Sequence, residues 1–396
     1  CEVAALLLKD CPDGLWFLDL APLESEELVL NQLMTTLGLT EAPGRDMMDI
    51  VVDSIRDKNL IILLDNCEHL LRTCAELAKR LIEAVPGLSL LATSREAFNI
   101  SGEKVWIIPS LSMADPTTVI DIEKAERSEA VRLFIDRARM NNQGFELVEK
   151  NAATVSTICH KLDGMPLAIE LVSCRTRHMD TITMLDRLSE RFDSLPSLDP
   201  GTSGRHRTIE AAIDWSYNLL LEDEKKLFRQ LSIFAGGFNL NAVEEVCSNE
   251  NMQGERILDL LSQLVEKSMI QTVYRPGQQM RYKLLETLHR YASNLLIEKG
   301  EAEVARLRHL AYFTTMAENA YEEQFQAQST WTNRLDAERD NLLSALNWSE
   351  YNSPENFAEL ASSLTWYWRV KSELSVGLDY VKRALAKTTG LSKTHA

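Results

Sequence analysis

The stretch Leu60–His69, with the sequence LIILLDNCEH, decides the fold. Five consecutive apolar residues are typical of a strand that is buried on both faces, and such strands belong to parallel sheets. The run ends at Asp65, which would place a carboxylate at the carboxyl edge of the sheet, where ligands of open parallel sheets bind. The stretch therefore predicts a ligand-binding α/β domain. The alternative, that Asp65 only caps the following helix, stays open at this point.

Other short apolar runs surround this stretch. Three of them are further predicted strands: Leu15–Leu20, Leu88–Ala92 and Val105–Ile108. Amphipathic stretches between the runs, such as Glu26–Leu37 and His69–Val85, predict helices. The alternation of strands and helices indicates a parallel sheet, covered by helices on both faces, over residues 1–110.

The helical period dominates after residue 110. The stretches Ser128–Met140, Asn151–Leu171 and Thr183–Phe192 each place their apolar residues on one face, which predicts a helical module over 111–200. Residues 201–290 combine several predicted helices with a predicted two-stranded hairpin, and this order of elements is typical of a winged helix. Residues 291–396 are helical throughout, with Trp, Tyr and Ala on repeating faces, which indicates helix-pair repeats.

The composition excludes several functional classes. Lys and Arg number 42 against 59 Asp and Glu, a net charge of -17, and so acidic a surface repels nucleic-acid phosphates. The seven cysteines are scattered without a C-x-x-C pair, which predicts reduced thiols in a cytoplasmic protein rather than disulfides or zinc. No window is apolar enough to predict a membrane span.

Two further motifs are candidate binding elements. Arg95 follows the predicted strand Leu88–Ala92, and an arginine at that edge could reach a γ-phosphate. Taken alone, it is more simply a solvated residue beside a helix cap. In Gly164-Met165-Pro166, the glycine suits a turn and the proline presets the first turn of a helix.

Five motifs follow one another in a specific order, and their succession carries a family resemblance. They are LLDNCEHL (63–70), TSRE (93–96), GMPLAIEL (164–171), IDWSY (213–217) and KLLET (283–287). The order resembles the bacterial NB-ARC-like branch of the STAND signal-transduction ATPases, predicted ATPases that are attached to transcriptional regulators or to cyclase domains. The resemblance covers essentially the whole chain.

The resemblance implies both an architecture and roles for single residues. The fold class would be α/β plus α. It implies a P-loop NTPase sheet over 1–110 that lacks its first strand and Walker A, an ARC-type helical module over 111–200, a winged-helix lid over 201–290 and TPR-like helical repeats over 291–396. Asp65 would be the Walker B acid that holds Mg²⁺, and Arg95 the sensor of the nucleotide's terminal phosphate. Pro166, with Gly164, would lie near the adenine. The cofactors would be ATP or ADP with Mg²⁺.

The sequence departs from this family pattern in two places. The phosphate loop G-x-x-x-x-G-K-[ST] does not occur, and the resemblance implies that it lies upstream of Cys1, which would make this chain a fragment. Such a fragment would bind nucleotide weakly or not at all, and without bound nucleotide it would hold none of these cofactors. Asn66 stands where some relatives carry a second acid, and an amide cannot act as a general base. Glu68 is the nearest acid that could take over that role.

Two functions from different classes are consistent with these features. The first is an ATP/ADP-dependent regulatory switch, in a family of slow ATPases, with hydrolysis by this chain left open. Its effector, a protein or a small molecule, would bind the C-terminal repeats, its DNA-binding or cyclase output domain would lie outside this segment, and it would form a homo-oligomer when activated. The alternative is a non-enzymatic interaction scaffold that acts through the repeats. Neither function involves a membrane or direct nucleic-acid contact, because the predicted recognition helix, Glu255–Lys267, is rich in acids.

Overall fold

A computed structural model describes residues 6–8, 11–23, 25–42, 44–113, 122–194, 204–248, 253–274 and 279–391. The first five residues lie outside these ranges. The sequence also predicts a linker at 196–204 and a hairpin turn at Pro276-Gly277, and that turn and most of that linker lie outside them as well. The chain divides into two compact units, Cys1–Trp106 with Arg306–Ala396, and Ile107–Ala305. The three boundaries between the four domains expected from the sequence stay predictions.

The elements of the described residues are as follows. The strands are β1 (Leu15–Asp19), β2 (Leu60–Asp65), β3 (Leu88–Ala92), β4 (Phe238–Asn239), β5 (Gln271–Val273) and β6 (Arg281–Lys283). The helices are α1 (Glu27–Thr36), α2 (Met47–Ile55), α3 (Leu71–Ala84), α4 (Ile122–Arg127), α5 (Glu129–Asn141), α6 (Glu149–Lys161), α7 (Pro166–Ser173), α8 (Thr181–Ser194), α9 (Gly204–Asn218), α10 (Glu222–Leu231), α11 (Leu240–Cys247), α12 (Glu255–Glu266), α13 (Glu286–Glu298), α14 (Ala302–Glu322), α15 (Gln328–Ala337), α16 (Arg339–Asn352), α17 (Pro354–Ser363), α18 (Thr365–Val370) and α19 (Leu374–Leu391).

The first unit contains a three-stranded parallel sheet in the order β1-β2-β3. The central strand is β2, and its residues 60–64 are all buried, as its unbroken apolar sequence predicts. The outer strands bury their side chains less completely, so Phe17 and Leu91 reach solvent. The predicted strands at 15–20, 60–64 and 88–92 are therefore confirmed, each to within one residue.

The predicted strand Val105–Ile108 is wrong. These residues lie outside the sheet, and their side chains are between 64% and 86% exposed. The sequence has the β-branched and aromatic residues of a strand, but β-propensity stabilises a strand only where a neighbour covers and pairs it. The result is a short, exposed apolar segment.

The helical module of the second unit is packed around α5, which begins at a capping serine. The Ser128 hydroxyl accepts a hydrogen bond from the Val131 N–H. The predicted single helical stretch Asn151–Leu171 is wrong, because it is two helices, α6 and α7. The chain breaks at Asp163 and Gly164, whose φ angles are 49° and 61°, and no helix continues through the left-handed region.

The winged helix consists of α10, α11 and α12 and a three-stranded antiparallel sheet in the order β4-β6-β5. The predicted hairpin strands are confirmed as β5 and β6. The third strand, β4, was not predicted because it is only two residues long and pairs with a strand more than forty positions away in sequence. Phe238 in β4 is opposite Tyr282 in β6, and their rings stack with centroids 6.0 Å apart.

The C-terminal part of the chain is helical, as predicted. In the first unit α17, α18 and α19 pack around Trp366, Tyr367 and Trp368, which are all buried. Gly377 of α19 allows this close packing, since a Cβ at that position would lie 2.7 Å from the Trp368 ring. Within the described residues, no helix is both long and apolar enough to cross a membrane.

Candidate functional site

Three parallel strands end at one edge of the sheet and bring polar side chains together there. Asp19 ends β1, Asp65 ends β2, and Thr93 follows β3. Asp19 and Asp65 are register partners, so their Cα atoms are direct neighbours across the two strands. The carboxyl edge of this sheet therefore carries two adjacent carboxylates and a hydroxyl.

Thr93 organises this edge. Its N–H donates to the Leu64 carbonyl over 2.9 Å, which extends the ladder between β2 and β3. Its hydroxyl donates to Asp65 Oδ1 and also accepts the Asn66 N–H over 3.0 Å. Because Thr93 is held by the backbone, it fixes the direction of the Asp65 carboxylate.

Asn66 has an unusual backbone conformation. Its φ is 59°, in the left-handed region that asparagine tolerates better than most residues other than glycine. Its Nδ2 lies 3.5 Å from Asp19 Oδ1, so the side chain spans the ends of β1 and β2. Some members of the family that the sequence resembles carry a second acid at this position. The geometry explains why this chain has an asparagine there, because its amide donates to Asp19 whereas a carboxylate would repel the Asp19 carboxylate.

We expect Asn66→Ala to destabilise the fold by about 1 kcal/mol, because alanine pays the cost of the left-handed conformation and loses the amide contact. Asn66→Gly should lose much less, since glycine adopts this conformation freely. Urea titration of both variants measures the difference. Equal losses in the two variants would contradict the strain argument.

Arg95 and Glu68 form an ion pair beside Asp65. The distance between Arg95 Nε and Glu68 Oε1 is 3.0 Å, and the arginine side chain is 39% exposed. A pair this accessible contributes at most about 1 kcal/mol, so a stronger anionic ligand could displace Glu68. Glu68 is itself occupied by Arg95, which makes it a poor general base in this arrangement.

The other two predicted site residues, Gly164 and Pro166, belong to the second unit. Gly164 is buried against the backbone of Leu111, whose N–H donates to the Gly164 carbonyl over 3.1 Å. Pro166 is exposed at the first position of α7, where its fixed φ starts the helix. Both residues thus have a structural role that accounts for their presence, and their contact with a nucleotide stays a prediction.

The neighbouring Cys67 thiol is not a reactive group. Cys67 and Cys74 are both fully buried, and the Cys67 N–H donates to the Thr93 carbonyl over 3.0 Å. The hydrogen bond with Cys74, and then burial, raise the pKa of the Cys67 thiol far above its usual range. Cys67 therefore remains protonated and packs behind the edge that carries Asp65.

The donor set at the edge fits a magnesium ion that is held mainly by phosphates. Carboxylate and hydroxyl oxygens are hard ligands, and Mg²⁺ is usually bound by one or two carboxylates together with substrate phosphates. Asp65 and Asp19 supply such carboxylates. Across the described part of the chain, no three His, Cys, Asp or Glu residues cluster so that they alone could hold a metal.

Sequence reasoning missed Asp19 and Thr93. Asp19 had a signal, because LWFLD ends in an acid just as LIILLD does. Thr93 lies in the motif TSRE, where the sequence alone indicates no more than a helix cap beside Arg95. The contact of both residues with the Asp65–Asn66 turn depends on strand register, which one strand's sequence does not contain.

Comparison with known proteins supports the winged helix directly. Residues 220–297 match the family model of the winged helix-turn-helix domain. These residues include α10 to α12, all of α13 except its last residue, and all three strands of the antiparallel sheet. The predicted winged helix is therefore confirmed as a fold, and its expected bounds, 201–290, stay a prediction.

Relatives are found in mycobacteria. Proteins named HTH-type transcriptional regulators from Mycobacterium tuberculosis and Mycobacterium bovis are 39% identical over 374 residues, which cover 94% of this chain and 41% of theirs. The chain thus spans about two fifths of these relatives. An uncharacterised Mycobacterium tuberculosis protein is 33% identical over 309 residues, 78% of this chain and 75% of its own length. The chain belongs to the same family as this uncharacterised protein. This family membership and the winged helix at its predicted place both agree with the assignment to the STAND class that the five motifs indicate.

A solved structure of a STAND protein with a tetratricopeptide repeat sensor from Pyrococcus horikoshii is also similar. It is 14% identical, with a TM-score of 0.45, and the match covers 98% of this chain and 60% of that one. The similarity is too low to carry an argument about this chain's site.

Proposed function

We propose that this chain is the regulatory nucleotide-switch segment of a transcription-regulator protein, in which ATP or ADP binding changes the state of the helical domains. The observation that carries the proposal is the polar carboxyl edge of the sheet, where Asp65, Asp19 and Thr93 meet the Arg95–Glu68 pair. Ligands of open parallel sheets bind at this edge. The names of the mycobacterial relatives support a regulatory role.

In this proposal, Asp65 holds the magnesium ion that accompanies the nucleotide phosphates. When bound, the ion would neutralise phosphate charge. Thr93 orients Asp65 through its hydroxyl, and Asp19 adds negative charge on the neighbouring strand. Asn66 contributes no proton acceptor, which favours slow hydrolysis and a switch rather than a rapid ATPase.

Arg95 is proposed to report the terminal phosphate. In the structure its guanidinium is held by Glu68. A phosphate with more than one charge competes with a single carboxylate, because charge-assisted hydrogen bonds from arginine to phosphate are strong and bidentate. Transfer of Arg95 from Glu68 to the phosphate would be the first event of the switch.

The remaining assignments follow the family resemblance. Residues 1–110 would be the truncated P-loop NTPase sheet, 111–200 the helical module with Gly164 and Pro166 near the adenine, 201–290 the lid and 291–396 TPR-like repeats. Direct DNA contact by the winged helix is not part of the proposal, although this fold binds DNA in other proteins. The exposed face of α12 carries Glu255, Asp259 and Glu266, and its Arg256 is paired with Asp223 at 3.0 Å. This face repels phosphates.

We expect residues 1–396 to bind ADP more weakly than low-micromolar, because the sequence has no G-x-x-x-x-G-K-[ST] to supply backbone N–H groups and a lysine to the phosphates. Titration calorimetry with and without Mg²⁺ measures this. Residual millimolar binding that needs Mg²⁺ and disappears in Asp65→Asn would support the proposal. Asp49→Asn, an exposed acid on α2, is the matched control. Low-micromolar binding would contradict the weak affinity expected here.

A second candidate function is an interaction scaffold that uses the C-terminal helices. The observation that favours it is an apolar stripe on α19, where Leu374, Leu378 and Leu385 are each more than half exposed. Their spacing places them along one side of the helix. If no nucleotide binds under any condition while a partner is still bound through α19, the scaffold function replaces the switch.

A further inference from the structure

Two polar contacts join distant parts of the sequence within the first unit. The Thr35 hydroxyl on α1 lies 3.0 Å from Glu373 Oε1, although the two residues are 338 positions apart. Glu41, which follows α1 in the chain, accepts one hydrogen bond from the Ser375 N–H over 2.9 Å and another from the Ser375 hydroxyl. Both contacts tie the sheet-bearing part of the unit to the start of α19.

Glu41 caps α19 from outside the helix. Ser375 is the second residue of α19, so its N–H is one of those that have no acceptor inside the helix. The residue before a helix is the usual source of a capping side chain, but here the carboxylate of that residue, Glu373, is bound to Thr35 and Arg339. The first turn of α19 is therefore stabilised by a carboxylate from the other end of the sequence, placed at the positive end of the helix dipole.

These contacts can break without leaving a buried charge unpaired. Arg339 Nη1 donates to Glu373 Oε2 over 2.6 Å, and the two side chains are 12% and 8% exposed. Burial acts to lower the pKa of Arg339, but the charge of Glu373, together with Tyr367, outweighs burial and raises this pKa, so the guanidinium stays charged. Since both partners of the ion pair belong to the C-terminal part of the unit, the pair stays intact when α1 moves away.

The α1 side has a second acceptor for the bond that it would lose. The Thr35 hydroxyl carries one proton, and its oxygen lies 2.9 Å from the Asn31 carbonyl of its own helix as well as 3.0 Å from Glu373. Once the contact with Glu373 breaks, the hydroxyl donates to the Asn31 carbonyl. Opening therefore leaves no unpaired donor on Thr35, which keeps its cost low.

An open groove lies beside these contacts. It has a volume of about 520 Å³ and separates α1 and the start of α2 from α16 and α19. Leu28 and Val376 line it from opposite sides. At this place the two sides are not joined by a filled apolar core, and contacts between parts of a chain that are mainly polar are typical of reversible association.

We propose that Glu41 and Glu373 form a latch, a pair of contacts that open and close together. The closed state is the one in the structure, with α1 held against the start of α19. In the open state the Ser375 N–H loses its acceptor, so the first turn of α19 unwinds more readily. The latch goes beyond the proposed nucleotide switch, because it needs no nucleotide to open or to close.

Amide hydrogen exchange of residues 1–396, measured by mass spectrometry without nucleotide, tests the latch. Thr35→Val removes the hydroxyl but keeps a β-branched side chain, and Glu41→Ala removes the acceptor at the start of α19. Each variant should speed the exchange of both α1 and the first turn of α19 about tenfold, the effect of losing one hydrogen bond to a charged group. The effect of Thr35→Val on α19 is decisive, because Thr35 makes no bond to that turn.

Two comparisons separate opening of the latch from a loss of overall stability. Exchange of α3, whose residues make none of these hydrogen bonds, is the internal reference within the same unit. Glu355→Ala removes an exposed acid from the first turn of α17 and should change the exchange of neither α1 nor α19. The proposal is overturned if each variant affects only the helix beside it, if the exchange of α3 rises by the same factor, or if neither variant changes any exchange rate.

Discussion

Gly164→Ala is expected to destabilise the second unit by about 3 kcal/mol, from the sum of left-handed strain and a steric clash. The φ of Gly164 is 61°, and a Cβ at this position would lie 2.4 Å from the Leu111 carbonyl oxygen. Backbone atoms cannot move aside as a flexible side chain can. The loss is therefore expected to appear in full in a urea titration.

The segment that contains Leu111 is held in place, which is why the clash cannot relax. The Ser112 N–H donates to Glu129 Oε2 over 2.9 Å, and the Ser112 carbonyl accepts the Ala130 N–H over 3.1 Å. Hydrogen bonds from the Ser112 backbone and hydroxyl also lower the pKa of Glu129, so this carboxylate stays charged and bound. Leu111 is thus fixed by the first turn of α5.

Gly300→Ala is the matched control for this prediction. Gly300 also has a positive φ, 68°, at the end of a helix, but an added Cβ would meet nothing within 4 Å. It should lose only the strain component, about 1 kcal/mol. If the two alanine variants lose equal stability, the contact with Leu111 does not restrict Gly164. For a test of nucleotide binding near the adenine, Pro166→Ala is a better variant than Gly164→Ala, because Gly164→Ala is expected to change the fold itself.

Acidification from pH 7 to pH 4 should remove about 3 kcal/mol of folding stability through His309 alone. His309 lies on α14, is buried, and has its Nε2 3.3 Å from Asn341 Oδ1. Burial lowers the pKa of His309 from 6.5 to about 4, with a further contribution from the charge of Arg306. The hydrogen bond to Asn341 acts in the opposite direction and is outweighed.

The direction of this pH effect follows from the protonation of His309 in the folded and the unfolded chain. As the pH falls through 6.5, the unfolded chain takes up a proton at this histidine while the folded chain does not, so folding becomes less favourable. The loss grows until about pH 4, where the folded state is protonated as well, and then levels off. The stabilising contribution of neutral His309 is therefore complete above about pH 6.5.

His309→Gln tests this argument. Glutamine keeps a group that can hydrogen-bond Asn341 but does not titrate, so the unfolding free energy of the variant should vary less between pH 7 and pH 4 than that of the parent chain. His160→Gln, at an exposed position on α6, is the control for the loss of an imidazole from the surface. Parallel curves for the parent chain and His309→Gln would contradict the prediction.

Much of the fold could be predicted from local patterns. The strand Leu60–Asp65 is recognisable because a strand buried on both faces must be apolar throughout, and the helices of the winged helix have a clear helical period. Val105–Ile108 has the same composition as a strand but is exposed, because strand formation depends on a neighbour that composition does not specify.

The candidate site could be predicted only in part. Asp65, Glu68 and Arg95 do lie together, since consecutive parallel strands end at one edge. Their catalytic and sensing roles stay predictions. The positive φ of Asn66 and the adjacency of Asp19 depend on contacts between distant parts of the chain, and neither is contained in the motif around Asp65.

The exposed segment Val105–Ile108 has a consequence for the behaviour of the protein at high concentration. Apolar β-formers in a row favour intermolecular strand pairing, and windows of about 5–7 such residues promote aggregation. Here Lys104 precedes the four residues and Pro109 follows them. A charge at one end and a residue without an N–H at the other act as gatekeepers, and they keep the segment shorter than such a window.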